Sequence, residues 1–335
     1  MNEKRATHEK KEILIPFYNL YEHYNNFFHE KNNILTPEQQ RISMEVSDNF
    51  KNFVNPTVPF KFQFSQLEKI LKELKKTHVK GYDKLSYYLI RHSLPYCTDF
   101  LLFFFNKLIE LMKIPRNFNI SIINPILKDQ QKNTNDVNNI RPISISNSLA
   151  QIFEKLIIVN SPNLTITHRN QFGFKRKTSC NHAFFTLKET ILHYTENKTG
   201  CKIASLDAEK AFDKTWRDGL FYKLLSKIDL SLWMILKIYY DSSLGTLLIS
   251  PNSDSVFFDP FIINVGVKQG GMLSAFLFSL YINDLIVECI NTNIGALFKN
   301  INTCVIVYAD DVILISPNDN HLQKLLNICV EFGQK

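Results

Sequence analysis

Two β-branched apolar runs, Val305-Ile306-Val307 and Val312-Ile313-Leu314-Ile315, flank Tyr308-Ala309-Asp310-Asp311. Each run has the length of a buried strand, and the four residues between them fit a tight turn. The pattern predicts a hairpin whose arms lie in a core and whose acidic tip projects from the core's edge. Residues 120–128 and 140–145 read as two further strands, joined by a mobile polar loop over 129–139. Residues 201–207 read as another strand, ending on Asp207. Helical spacing recurs at Leu67, Ile70, Leu71 and Leu74, at Leu149, Ile152, Phe153, Leu156 and Ile157, and at Phe276, Leu277, Leu280, Tyr281 and Leu285. Helices are also predicted from Pro37, capped by Thr36, over 93–112, ended by Pro115, and over 320–332. Lys80-Gly81-Tyr82-Asp83 breaks the helix before it. Residues 1–60 are polar, rich in Asn, Lys and Glu. They read as a small helical or partly disordered extension that carries none of the chemistry.

Composition narrows the class. The 335 residues, 45% hydrophobic and 13% aromatic, suffice for a packed core in one large domain or two to three small ones. A formal net charge of +7 is compatible with a polyanionic partner without requiring one. Six cysteines are scattered with no C-x-x-C pair, which suggests neither a zinc site nor a disulfide framework. The start is polar and charged, so no signal peptide is visible, and apolar runs such as residues 100–105 fall short of a membrane span. The expectation is a soluble, intracellular protein of the cytoplasm or nucleus.

The candidate chemistry lies at the ends of the strands. Adjacent carboxylates at Asp310 and Asp311 repel, and a divalent cation would relieve that repulsion. Asp is also an ordinary turn residue, and the pair alone does not choose between these readings. Asp207 closes a strand and could be a metal ligand or a turn residue. Lys128 and Arg141, at the ends of the two-strand flap, could grip phosphate oxygens or be plain surface cations. Gln171-Phe172-Gly173-Phe174-Lys175-Arg176-Lys177 mixes aromatics with cations, which suits a nucleic-acid strand or a charged loop. Gln269-Gly270-Gly271 joins a strand to a helix and lets a ligand approach the backbone, or simply makes a tight connection.

Taken in order, these blocks resemble the reverse transcriptase domain of non-LTR (LINE-type) retrotransposons over about residues 80–335. The matching blocks are Gly81-Tyr82-Asp83; Pro125-Ile126-Leu127-Lys128 with Arg141-Pro142-Ile143-Ser144; Gln171-Phe172-Gly173-Phe174; Leu206-Asp207 with Ala211-Phe212-Asp213; Gly266-Val267-Lys268-Gln269-Gly270 with Leu273-Ser274; and Tyr308-Ala309-Asp310-Asp311. The resemblance implies an α+β right-hand polymerase. Its fingers would span 61–200 and its palm 201–335, with a second fingers segment about 223–263. The palm sheet would be antiparallel and packed on helices, and the thumb absent. It implies two Mg²⁺ ions (Mn²⁺ as an alternative) on Asp207, Asp310 and Asp311. Lys128, Arg141, Phe212, Gln269 and Gly270 would bind nucleotide, with Phe212 as the steric gate against ribose. Gln171, Phe172, Lys175, Arg176 and Lys177 would contact nucleic acid, while Asp213 and Ser274 take structural roles first. The implied partners are an RNA template, a DNA primer and dNTPs, with no membrane. Ala275 departs from the family, which has Pro after Leu-Ser. The rival expectations are a catalytically inactive nucleic-acid-binding remnant and an RNA-dependent RNA polymerase.

Overall fold

The computed structural model describes residues 13–29, 35–54, 60–250 and 256–334. Residues 1–12 of the predicted extension lie outside them. The chain runs α1 (Phe17–His29), α2 (Pro37–Lys51), α3 (Phe64–Lys72), α4 (Tyr87–His92), α5 (Thr98–Leu111), β1 (Ile120–Leu127), β2 (Ile140–Ile145), α6 (Ser148–Asn160) and α7 (Cys180–Glu196). It continues through β3 (Lys202–Asp207), α8 (Ala211–Lys214), α9 (Arg217–Leu224), α10 (Leu230–Asp241), β4 (Leu244–Thr246), β5 (Leu248–Ser250), β6 (Val256–Phe257) and β7 (Phe261–Ile262). It ends with α11 (Met272–Asn291), β8 (Leu297–Phe298), β9 (Ile301–Asn302), β10 (Val305–Tyr308), β11 (Asp311–Ser316) and α12 (Asp319–Gln334). The class is mixed α+β.

Two sheets set the frame. One has the order β2-β1-β4-β7, with β1 antiparallel to β2 and parallel to β4. The other, β10-β11-β3, is antiparallel throughout. Local signals explain most starts and stops. Thr36 Oγ1 accepts from Gln39 N at 3.2 Å, and the Gln39 side chain accepts from Thr36 N at 2.9 Å, closing a capping box on α2. The helix expected over 93–112 begins only at Thr98. Pro95 supplies no N–H and disfavours helical backbone at Leu94, so α4 ends and α5 starts on either side of it.

The main core gathers Phe105, Phe153, Trp233 and Tyr239 from α5, α6 and α10 around α11. Helix α11 is the longest apolar stretch among the described residues. Its 20 residues are long and apolar enough to cross a membrane, although just over half of that window is buried in the protein. Asn283 and Asp284 interrupt the run in sequence, which hides its length. Leu273, Leu277, Leu285 and Ile286 are buried, and each contributes roughly 1.5–3 kcal/mol against exposure.

The described part of the N-terminal extension holds two helices, α1 and α2, and α1 packs on the four-stranded sheet. Leu20, Tyr24 and Phe28 of α1 are buried against Ile123, Leu127, Ile140 and Phe261 of the four-stranded sheet. Tyr21 stacks on Phe258 with ring centroids 4.8 Å apart, and Asn264 N donates to Phe28 O at 2.9 Å. The helix is therefore docked where the cleft opens.

Candidate active site

The acidic hairpin forms, with a turn shorter than expected. Tyr308 pairs with Asp311, leaving Ala309 and Asp310 as a two-residue turn. Strand β11 pairs on its other side with β3, and the register sets Asp311 opposite Asp207. Sheet geometry thus brings the three aspartates, distant in sequence, to one edge. Ala309 has φ +59°, a left-handed conformation costing an L-residue on the order of 1–2 kcal/mol. It is held by its surroundings. Gln171 Oε1 accepts from Ala309 N at 3.3 Å and from Gly173 N at 2.8 Å. Residues 170–172 lie along β10, with Phe172 N donating to Val307 O at 2.8 Å and Val307 N to Asn170 O at 2.9 Å.

This changes the reading of the Gln171 block. Gln171 is fully buried and braces the acidic turn, so its side chain is withdrawn from any strand-binding surface. Phe172 is half-buried, packed against the cluster of Ala183, Ala296, Ile306 and Ile315. The Lys175 ammonium folds back toward the carbonyl oxygens of Thr167 and His168, at 3.5 and 3.3 Å. Within this block Arg176 and Lys177 are exposed, while Lys175 is half-buried.

Burial, then the neighbouring charges of Asp310 and Asp207, push the Asp311 carboxyl above its ordinary range. Among the described residues, no three Asp, Glu, His or Cys side chains already converge as ligands of one ion. The donor set nevertheless suits a hard divalent cation. It offers oxygens only, and the mutual repulsion recorded in the Asp311 shift is what a cation would remove.

A cleft of about 530 Å³ opens beside the turn. Of the predicted residues it gathers Lys128, Arg141, Asp207, Phe212, Gln269, Gly270 and Asp310; Asp311, Gln171, Phe172 and Lys175–Lys177 do not line it. The loop between Lys128 and Arg141 is more organised than expected. Buried Asn139 donates from Nδ2 to Asp129 O at 2.9 Å and to Asn133 O at 3.2 Å, and accepts from Asp129 N at 3.1 Å. Lys128 N donates to Asn139 O at 2.8 Å, which leaves the two cations at the ends of a cinched loop.

Phe212 is packed on one side and open to the cleft on another. It stacks on Phe278 with centroids 4.5 Å apart, meets Phe174 edge-on at 5.8 Å, and lines the cleft. The Gln269-Gly270 turn is stitched to β2, where Ser144 N donates to Gln269 O at 2.7 Å. Gly270 has φ +98°, and a Cβ there would meet Ser144 O at 2.8 Å. The turn requires glycine on both counts.

Sequence reasoning missed the buried frame behind this turn. The Lys268 ammonium donates to Asn119 Oδ1 at 2.6 Å, and burial pushes it down to about 8. Arg217 spans the carbonyl oxygens of Gly266, Tyr240 and Val265 at 2.9, 2.7 and 3.3 Å. Glu154 accepts from Tyr239 OH at 2.9 Å and from Leu273 N, at the start of α11, at 3.2 Å. Ser274 is buried with its Oγ 3.4 Å from Tyr240 OH, in keeping with a structural role. Also missed were His23, Tyr24 and Phe27 of α1, which form the far wall of the cleft. The Lys210 ammonium sits 4.6 Å over the Phe27 ring. The four-residue spacing of Leu20, Tyr24 and Phe28 was the available signal, masked by the polar residues around it.

Comparison with known proteins agrees with this geometry. Residues 127–335 match the family described as reverse transcriptase (RNA-dependent DNA polymerase). The chain is 26% identical over 277 residues to the probable RNA-directed DNA polymerase from transposon BS of Drosophila melanogaster, covering 81% of this chain and 30% of that protein. It is 26% identical over 257 residues to the RNA-directed DNA polymerase from mobile element jockey of Drosophila funebris, covering 76% of this chain and 27% of that protein. Over 196 residues it is 26% identical to the Pol polyprotein from the type-1 retrotransposable element R2 of Popillia japonica, covering 58% and 27%. The chain therefore spans less than a third of the length of these relatives. With the matched segment covering the acidic hairpin and the cleft lining from Lys128 onward, the chain belongs to the reverse transcriptase (RNA-dependent DNA polymerase) family, as a LINE-type domain.

Proposed function

We propose that this chain is an RNA-directed DNA polymerase that adds deoxynucleotides to a primer 3′-hydroxyl on an RNA template. The observation that carries the proposal is the register that sets Asp207 against Asp311, with Asp310 in the adjoining turn, beside a cleft lined by Lys128 and Arg141. Residues 61–200 act as fingers, and 201–335 as palm with a second fingers segment about 223–263. Asp207, Asp310 and Asp311 would hold two Mg²⁺ ions, with Mn²⁺ able to replace them. Such ions, when bound, acidify an attacking hydroxyl and neutralise charge on a triphosphate and its leaving pyrophosphate.

The chain's own residues then divide the remaining work. Lys128 and Arg141 hold phosphate oxygens from the two ends of the cinched loop. The Gln269-Gly270 turn lies against the nucleotide, fixed from behind by Lys268, Arg217 and Glu154. Phe212, backed by Phe278, stands under the sugar and has no room to retreat from a 2′-hydroxyl. Exposed Arg176 and Lys177 offer phosphate contacts to the nucleic acid beyond the cleft.

The test is extension of a DNA primer annealed to RNA, with Mg²⁺ and dNTPs. Incorporation that stops on chelation supports the reading; no incorporation with either Mg²⁺ or Mn²⁺ overturns it. In the same assay Phe212→Ala is expected to lower the preference for dTTP over UTP by about tenfold to a hundredfold, the range available to a steric contact in an apolar pocket. An unchanged preference would move the gate to another residue.

A further inference from the structure

We propose that Asp213 is a positioning residue that sets which end of the Gln269 carboxamide faces the cleft, and so whether the cleft offers the sugar of an incoming nucleotide a hydrogen-bond acceptor or a donor. The proposal rests on the polymerase reading above and adds to it a residue and a control.

The geometry begins with one hydrogen bond. Gln269 Nε2 donates to Asp213 Oδ2 at 2.7 Å, and both residues line the cleft. An ionised carboxylate can only accept, so it fixes the carboxamide with its nitrogen toward Asp213. The carbonyl oxygen Oε1 is then what Gln269 has left for a donor in the cleft. A protonated Asp213 carries an O–H that can donate to Oε1. The carboxamide is then free to turn over and present its NH₂ group instead. The backbone of Gln269 does not move in this exchange, since its carbonyl remains bonded to Ser144 N at 2.7 Å. Phe212, adjacent to Asp213 in sequence, stands where the sugar is expected, so the sugar 3′-hydroxyl is within reach; it can donate to Oε1 or accept from the NH₂ group, whereas a 3′-fluorine can only accept.

The surroundings put the exchange in an accessible range. Asp213 is buried, only 3% exposed, and burial pushes its carboxyl up to about 7. Gln269, Lys210 at the start of α8 and Lys128 at the end of β1 pull the other way and favour the ionised form. From α1, Tyr24 is 3% exposed, feels the Asp213 charge, and carries a buried hydroxyl with no hydrogen-bond partner among the described residues. His23 of the same helix, and Asp207, Glu209 and Asp310, face the same cleft. Because the folded-state value is raised, Asp213 is ionised above about pH 7 and takes up its proton below it. The acceptor form of Gln269 therefore prevails at pH 8 and is lost toward pH 6.

The experiment compares equilibrium binding of dTTP and 3′-fluoro-2′,3′-dideoxy-TTP, whose fluorine keeps an acceptor and removes the donor, between pH 6 and 8.5. It uses Mg²⁺ and an RNA–DNA primer–template whose primer lacks its own 3′-hydroxyl. Both ligands carry the same triphosphate, so its titration and its repulsion by Asp213 cancel in the ratio. The expected preference for dTTP is about fivefold at pH 8, the yield of one ordinary hydrogen bond, falling toward unity at pH 6. Asp213→Asn, which keeps the shape but cannot ionise, is expected to show no pH dependence of the ratio. Gln269→Ala is expected to show none either, with Asp213 still titrating. A ratio in the parent that does not change with pH, or a pH profile that survives in either variant, overturns the inference alone. Failure of the parent to bind either nucleotide at any pH overturns the inference and the polymerase reading together.

Discussion

Asp310→Ala is expected to abolish primer extension, by at least about a thousandfold, or on the order of 4 kcal/mol of transition-state stabilisation. A methyl group cannot ligate an ion, and Asp310 is the one aspartate of the proposed set that sits in the turn itself rather than in a paired strand. The same change is expected to leave the fold intact. Asp310 makes no contribution to the core, and its charge raises the neighbouring Asp311. Relief of that repulsion returns Asp311 toward its ordinary range. A raised carboxyl destabilises the folded state above its unfolded value, so the variant's gain in thermal stability belongs at neutral pH and vanishes in acid. Divalent cation adds the third readout. Mg²⁺ is expected to raise the melting temperature of the parent by binding the folded state, and to do so far less in Asp310→Ala. Extension that persists in the variant, or an equal Mg²⁺ shift in both proteins, would place the ions on other residues.

The three aspartates and the strands that carry them were legible because a period of two and β-branched runs are local signals. Their convergence was not. It depends on the antiparallel register between β11 and β3, which no window of sequence contains. The same limit explains Gln171. Aromatics and cations at 171–177 are a composition cue for nucleic acid, yet the glutamine is buried because the chain runs alongside β10. Helix α1 was undervalued for a different reason. A short amphipathic helix among Asn, Lys and Glu reads as an appendage until the sheet it covers is known. The frame of Glu154, Lys268 and Arg217 is invisible in sequence because each residue, taken singly, is an ordinary surface type; burial makes it a constraint on the Gln269 turn.

Gly173→Ala tests the consequence of that hidden packing, and it is expected to damage stability and activity together. A Cβ at position 173 would lie 2.3 Å from Ala309 N and 2.9 Å from Ala309 Cα. Both obstacles are backbone, so no side-chain rotation can make room. Two adjustments are open. Residues 170–173 can draw away from β10, breaking the Phe172–Val307 and Val307–Asn170 hydrogen bonds, or the turn itself can shift. Either way the Gln171 brace on Ala309 loosens, and Ala309 is already in the left-handed region. Overpacking of this kind costs roughly 1–3 kcal/mol, and displacing a reacting group by about 1 Å costs on the order of a hundredfold in rate. Thermal unfolding and primer extension, run below the variant's melting temperature, separate the two losses. Gly333→Ala in α12 is the matched control, since a Cβ there meets no atom of the described residues within 4 Å. Parity of Gly173→Ala with that control in both measurements would mean that the chain does not press on the acidic turn. A loss of rate in a folded Gly173→Ala protein would show that the position of Asp310 is set from the neighbouring strand as much as from its own hairpin.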